Sequence, residues 1–228
     1  MKRRLGPVHY GSWVQKICPS PRRYFQYLVI KSGCQKAADL GCGTNSLLTP
    51  LRAKGVRCTG VDASAQALSR ARELNAFDEY VQTDVLEWLR EQVTSGTHYD
   101  AIVASHLIEH LPRERGEHFL RLVELLNPRL VYIETPRGFV EPAYLKEPRL
   151  HAHLSGWFPW DFEARGYTVF GMGLAGLRGG ADLLWCRCEF ITRSLERGLQ
   201  WMCYRRPYLA ATIAAIRYID HAGLLRRL

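Results

Sequence analysis

The chain has 228 residues, with 31 Lys and Arg against 22 Asp and Glu, a formal charge of +9, 47% hydrophobic residues and 23% charged residues. That length points to one domain, or one domain with appendages, long enough to bury a core without disulfides, and the composition argues against disordered, collagen-like and coiled-coil chains. The excess charge sits at the ends: residues 1–35 carry seven basic residues and no acid, residues 187–228 carry eight Arg against Glu189, Glu196 and Asp220, and the body between them is slightly acidic. The seven Cys (18, 34, 42, 58, 186, 188 and 203) form no C-x-x-C pair. They read as small buried residues of a reduced, cytosolic chain rather than as disulfides or a zinc set. Lys2-Arg3-Arg4 is followed by no apolar stretch of the signal-peptide kind, and no apolar run is long enough to suggest a membrane span.

In chain order, Ser20-Pro21 predicts a helix start and Gly33 its stop. From there strands and helices alternate. Ala37–Leu40 reads as a strand ending in Gly41-Cys42-Gly43, Asn45–Lys54 as a helix closed by Gly55, and Val56–Val61 as a second strand. Ser64 caps a helix over Ala65–Leu74. Tyr80-Val81 begins a third strand, Val85–Gln92 is a helix, and Tyr99–Ala104 a fourth strand. Arg115–Leu126 has the 3.6-residue period of an amphipathic helix, and Leu130–Glu134 is a fifth strand. This alternation predicts a parallel α/β sheet with helices on both faces. After the long irregular stretch Thr135–Ser155 come a helix near Trp160–Arg165 and two strands, Tyr167–Gly171 and Asp182–Ile191, joined too closely for a crossover helix and so antiparallel. Residues 193–228 read as a helical tail broken at Pro207.

The carboxyl ends of the first three strands hold the candidate ligand site. Gly41-Cys42-Gly43 lets backbone approach a ligand closely, although Ser46 stands where a dinucleotide loop has its third Gly. Asp62 ends the second strand 21 residues after Gly41, where a carboxylate can accept both ribose hydroxyls. Asp84 follows the third strand, where it can accept from the exocyclic amine of a base.

The set ADLGCGTN, VDAS, TDVLEW and YDAIVASHLIEHL resembles the class I S-adenosylmethionine-dependent methyltransferases, most of all their bacterial small-molecule branch, over roughly residues 35–190. The resemblance implies a Rossmann-like α/β fold: a seven-stranded, mostly parallel sheet with helices on both faces and an antiparallel edge strand. It implies S-adenosyl-L-methionine as cofactor. Gly41, Cys42 and Gly43 then face its methionine portion and Asp39 its amino group. Asp62 and Ala63 meet the ribose, Asp84 and Val85 the adenine, and His106 packs against the cofactor. The domains on this reading are a basic helical segment 1–34, the methyltransferase domain 35–192 and basic C-terminal helices 193–228.

His106-Leu107-Ile108-Glu109-His110 matches an H-x-x-E-H zinc-peptidase pattern. That pattern needs one continuous helix, whereas a buried strand precedes it here and Pro112 closes it. In similar methyltransferases the segment lies beside the sulfonium. Some quinone-modifying relatives bind a cation there through Glu-x-x-Glu-His. With His106 in place of the first Glu that set is incomplete, and no metal ligands are assigned. His110 is the candidate general base, with Glu109 beside it; the bland alternative is that both only orient the loop. On the acceptor side the candidates are Tyr144, His153 and Trp157, against an alternative in which Ser155 caps a helix and Trp157 and Phe162 pack.

The function expected is O-methylation of a small molecule or a sugar- or lipid-linked intermediate in the cytoplasm. The alternatives are a non-catalytic S-adenosylmethionine-binding protein of the same fold and an RNA-modifying methyltransferase. Leu209, Ile213, Ile216 and Ile219 fall on one helical stripe flanked by Arg. Residues 205–228 are therefore a candidate for peripheral contact with the inner, anionic face of a membrane, or for docking on the protein itself. Clustered Arg without a recognised nucleic-acid module gives no expectation of a specific nucleic-acid partner.

Overall fold

The computed structural model describes residues 20–44, 46–140, 152–174 and 200–219. Helix α1 (Pro21–Lys31) starts where Ser20 caps it, its hydroxyl accepting from Arg23 N, and Pro21 supplies the first helical φ. Strand β1 (Lys36–Leu40) follows, then a single turn α2 (Thr49–Arg52), β2 (Arg57–Asp62), α3 (Ala65–Glu73), β3 (Glu79–Gln82), α4 (Val85–Ser95), β4 (Ala101–Ser105), a 3-10 turn (Ile108–His110), α5 (Arg113–Leu126), β5 (Leu130–Pro136), α6 (Pro159–Glu163), β6 (Thr168–Leu174) and β7 (Ala210–Tyr218). The helix expected from Asn45 shrinks to α2. Pro50 cannot donate to a preceding turn, so it fits only in the first turn of a helix, where that donor is not needed.

The seven strands form one sheet in the order β3-β2-β1-β4-β5-β7-β6. β1 to β5 run parallel, and β7 runs antiparallel to both β5 and β6. Successive residues of the central strands bury alternate faces. Ile102, Ala104, Val131 and Ile133 pack with α4, α5 and α6. Ala101, Val103, Leu130 and Tyr132 pack with α1, α2 and α3. Both faces are covered, as a mostly parallel sheet requires.

The C-terminal expectation changes most. The Asp182–Ile191 strand lies outside the described residues, and the strand seated between β5 and β6 is Ala210–Tyr218. This segment is not an amphipathic helix. Ile213, Ala214, Ala215 and Ile216 are all fully buried, on alternating faces of the sheet. A continuous run of β-branched and small apolar residues fits either period, and pairing with β5 and β6 decides for the strand. The sheet therefore extends to residue 218 rather than ending at 192. Two of the isoleucines assigned to a membrane-facing stripe are core residues. Of the first segment, the described part is likewise no appendage: α1 buries Phe25 and Val29 completely against the sheet. Among the described residues no helix is long and apolar enough to cross a membrane.

Ile213→Ala is expected to lower the unfolding free energy by about 2–5 kcal/mol, as for other truncations of fully buried isoleucines. Chemical denaturation measures it; a near-zero loss contradicts the central placement of β7.

Candidate active site

The carboxyl edge of β1 and β2 is bonded into a cradle. Gly41 N and Cys42 N donate to Val61 O at 2.8 and 3.1 Å, and Gly43 N donates to Asp62 Oδ2 at 2.8 Å. Ser64 N donates to the other carboxylate oxygen of Asp62, also at 2.8 Å. Gly41 has φ +64°, and a Cβ there would come within 2.7 Å of Leu107 Cδ1, so only glycine fits. Asp39 is buried on β1 and accepts from the Ser46 hydroxyl. Burial pushes its carboxyl up to about 7, against the opposing pull of that hydrogen bond. Ser46, which breaks the dinucleotide pattern, thus satisfies the carboxylate that faces the cradle. Asp84 has a structural role in the described state. Its Oδ1 caps α4 through Leu86 N and Glu87 N at 2.8 and 3.3 Å, and its Oδ2 accepts from Arg115 at 2.7 Å. Val85 is buried in the first turn of the same helix.

Past β4 the chain turns through His106 at φ +54°, a left-handed conformation uncommon outside glycine. The turn sets the imidazole between two buried carboxylates. Nδ1 lies 3.0 Å from Glu109 Oε1 and Nε2 3.2 Å from Glu134 Oε1. Hydrogen bonds to Glu109 and Glu134 raise the imidazole to about 9, so it is a cation at neutral pH. Glu134, on β5, also accepts from Arg22 Nε at 2.7 Å and Nη2 at 2.5 Å, and from the Tyr132 hydroxyl at 2.6 Å. Burial alone would raise this carboxyl, yet the hydrogen bonds from His106 and Arg22 and the guanidinium charge hold it down at about 2.

The segment before α6 is tied to the 3-10 turn by backbone bonds. Leu154 N and Ser155 N both donate to Glu109 O, at 2.7 and 3.2 Å, and Ser155 Oγ donates to Ile108 O. Gly156 lies so close to the Gly138–Phe139 backbone that a Cβ would meet Phe139 N at 2.5 Å. This stitching sets His153 beside His110, their rings 5.1 Å apart and edge to face. His110 Nδ1 donates to Ala152 O at 3.1 Å, and His153 Nδ1 donates to Val140 O. Tyr144 lies outside the described residues. Trp157 does not reach an acceptor: its indole is fully buried, hydrogen-bonded to Ser155 Oγ at 2.8 Å and covered by the Arg113 guanidinium at 3.9 Å. The packing alternative holds for Trp157, and Ser155 binds the 3-10 turn and the indole instead of capping a helix.

Residues 38–129 match the family model described as a methyltransferase domain. Over that stretch the chain is similar to the S-adenosylmethionine-dependent methyltransferases. Trans-aconitate 2-methyltransferases of Escherichia coli are 32% identical over 111 residues, covering 47% of this chain and 42% of the relative, so the chain spans less than half the length of the curated relatives it matches. A SAM-dependent methyltransferase from Archaeoglobus fulgidus superposes with a TM-score of 0.54 at 19% identity, over 89% of this chain and 96% of that one. The small RNA methyltransferase HEN1 superposes with a TM-score of 0.56 at 18% identity, over 98% of this chain and 27% of that one. These two likenesses concern the fold. S-Adenosylmethionine is the cofactor of this class. At the cradle Asp39 is buried and bonded to Ser46, Gly41 and Gly43 sit in left-handed turns, and Asp62 is fixed by Gly43 and Ser64.

Sequence reasoning missed Arg22 and Glu134. Neither belongs to a recognisable motif, and they lie 112 positions apart. The available signal was a lone Glu at the end of an otherwise apolar strand, which needs a partner if buried. Within the methyltransferase domain the held-down Glu134 carboxyl makes stability depend on acid. Its contribution is complete above about pH 4.5 and is lost as pH falls from there through about 2. Glu134→Gln is expected to lower stability at pH 7, by on the order of 3 kcal/mol, and to flatten the acid limb of the stability curve. Urea titrations from pH 2 to 7 check it; parallel curves for variant and wild type contradict the ion-pair assignment.

Proposed function

We propose that this chain transfers the methyl group of S-adenosylmethionine to an oxygen on a small molecule or on a sugar- or lipid-linked intermediate. One observation carries the reading. The Gly41–Gly43 cradle and the imidazole of His110 share the carboxyl edge of the sheet, with the proton of His110 fixed on Nδ1 by Ala152 O at 3.1 Å. In the neutral ring this leaves the lone pair on Nε2, the arrangement a base requires. The trans-aconitate relatives are named for a small organic acid, in keeping with a small acceptor.

The step needs little covalent help from the protein, because the sulfonium already activates the methyl carbon. An acceptor oxygen lone pair forms the new O–C bond as the C–S bond breaks. Its electron pair returns to sulfur, leaving a neutral thioether, and the hydroxyl proton passes to His110 Nε2. What the fold supplies is alignment of oxygen, carbon and sulfur in a site held rigid from both sides. His106 does not act as the base, because its two carboxylate partners keep it protonated.

Asp62→Ala is expected to weaken S-adenosylmethionine binding by about 10–100-fold in calorimetry, the value of a charge-assisted hydrogen-bond pair. Incubation of the wild type with radiolabelled S-adenosylmethionine and a metabolite extract is expected to label an extractable small molecule, with His110→Ala slowing labelling by about 100-fold or more. Cofactor binding without any labelled product leaves only a binding protein and overturns the catalytic reading.

A further inference from the structure

Two aromatic rings stack on Trp160 of α6: Phe158 at 4.5 Å and 9°, and Tyr208 at 6.1 Å and 25°. The three lie at the carboxyl edge of the sheet. Phe158 packs over Gly138, just past the end of β5, where a Cβ would meet its ring at 3.1 Å. Tyr208 sits in the 3-10 turn Pro207–Leu209 that leads into β7, and its hydroxyl donates to Glu163 at 2.7 Å. The stack is not covered. Trp160 is 52% exposed, Tyr208 48%, and Leu209 beside it 42%. Phe139, after Gly138, is exposed as well. Single exposed apolar side chains are ordinary, but a contiguous group of them marks a contact surface. Cations border the group. Arg205 and Arg206 precede the turn, are exposed, and form no ion pair among the described residues. Arg137 is anchored through Nε to Ala210 O, and no carboxylate among the described residues pairs with its guanidinium.

We propose that this surface is a peripheral membrane contact, resting on a bilayer that contains anionic phospholipid. Charge selects the partner: three arginines against Glu163 suit an anionic surface. Aromatic rings with polar tips suit the boundary between headgroups and acyl chains. The ring geometry argues against nucleic acid. Single-stranded bases are held on free ring faces, and here the faces of Phe158, Trp160 and Tyr208 are turned to one another. The contact is not the isoleucine stripe, whose Ile213 and Ile216 are core residues, but the turn ahead of it. The surface also adjoins the acceptor side, because Val140 O, next to Phe139, accepts from His153. The consequence for the reaction rests on the methyl-transfer reading: an acceptor side held against a bilayer meets lipid-linked acceptors.

The test sediments the full, untagged chain with vesicles of phosphatidylglycerol and phosphatidylcholine, and with vesicles of phosphatidylcholine alone, in the absence of cofactor. Partition into the anionic vesicles is expected, with little into the neutral ones. Trp160→Ser combined with Leu209→Ser keeps every charge and is expected to weaken partition by about tenfold or more. Arg205→Gln combined with Arg206→Gln is expected to weaken it by about tenfold or more. All four side chains are exposed, and unchanged denaturation midpoints confirm that the variants are folded. Because the whole chain carries a charge of +9, the charge-preserving pair decides: equal partition of wild type and that variant overturns the proposal. So does absence from the anionic vesicles, or equal partition into the neutral ones. Binding to a single-stranded oligoribonucleotide but not to vesicles assigns the surface to nucleic acid and overturns it too. Vesicle binding without labelled product in the extract assay leaves the surface standing while the methyl-transfer reading fails. Labelled product without vesicle binding does the reverse.

Discussion

The carboxylate of Glu134 ties the molecule together at its functional edge. It sits near the carboxyl end of β5, almost wholly buried, and accepts from Arg22 on α1, from Tyr132 on its own strand and from His106 at the exit of β4. A buried charge is tolerable only when paired and fully hydrogen-bonded, so these groups are bound to one another by necessity. The N-terminal helix is anchored over the sheet by its first turn. The left-handed turn at His106 is held open. Through His106 the constraint reaches Glu109, and through the Glu109 carbonyl it reaches the loop that carries His153.

The second constraint is the position of β7. Inserted antiparallel between β5 and β6, it pairs with β5 along the strand, from Leu130 with Tyr218 to Pro136 with Thr212. Because β7 runs the other way, its first residues arrive at the same edge as the end of β5. There Ala210 O and Ala211 O accept from Arg137 Nε and Arg137 N. The described ends of the segment between β5 and α6 are thus moored, to β7 through Arg137 and to the 3-10 turn through residues 154 and 155. The geometry of the His110 and His153 pair depends on both moorings.

The first half of the fold was legible in the sequence because its signals are local. Ser20-Pro21, Ser64 and the apolar runs before Gly41, Asp62 and Asp84 each report a cap or a strand end within a few residues, and the structure has each of them. The chain after residue 136 was less legible. Tyr208–Ile219 satisfies both the helical and the extended period, so only its neighbours in the sheet choose between them. Trp157 looked like an acceptor contact because it closely follows the imidazole of His153 and the hydroxyl of Ser155. Its burial follows from Gly116 on α5, which leaves the space the indole fills.

By itself, the sequence determined the α/β class of the fold and the glycine-and-acid cradle at the carboxyl edge of its sheet. Those depend on glycines that permit left-handed backbone and on acids at strand ends, whose spacing is fixed by strand and helix lengths. Tertiary structure alone decided that the basic C-terminal region contributes a core strand, that His106 is a paired cation, and that Glu109, His110 and His153 converge. Each of these is a contact between segments tens of residues apart. Burial, charge pairing and hydrogen-bond satisfaction act on such contacts only once the sheet has brought the segments together.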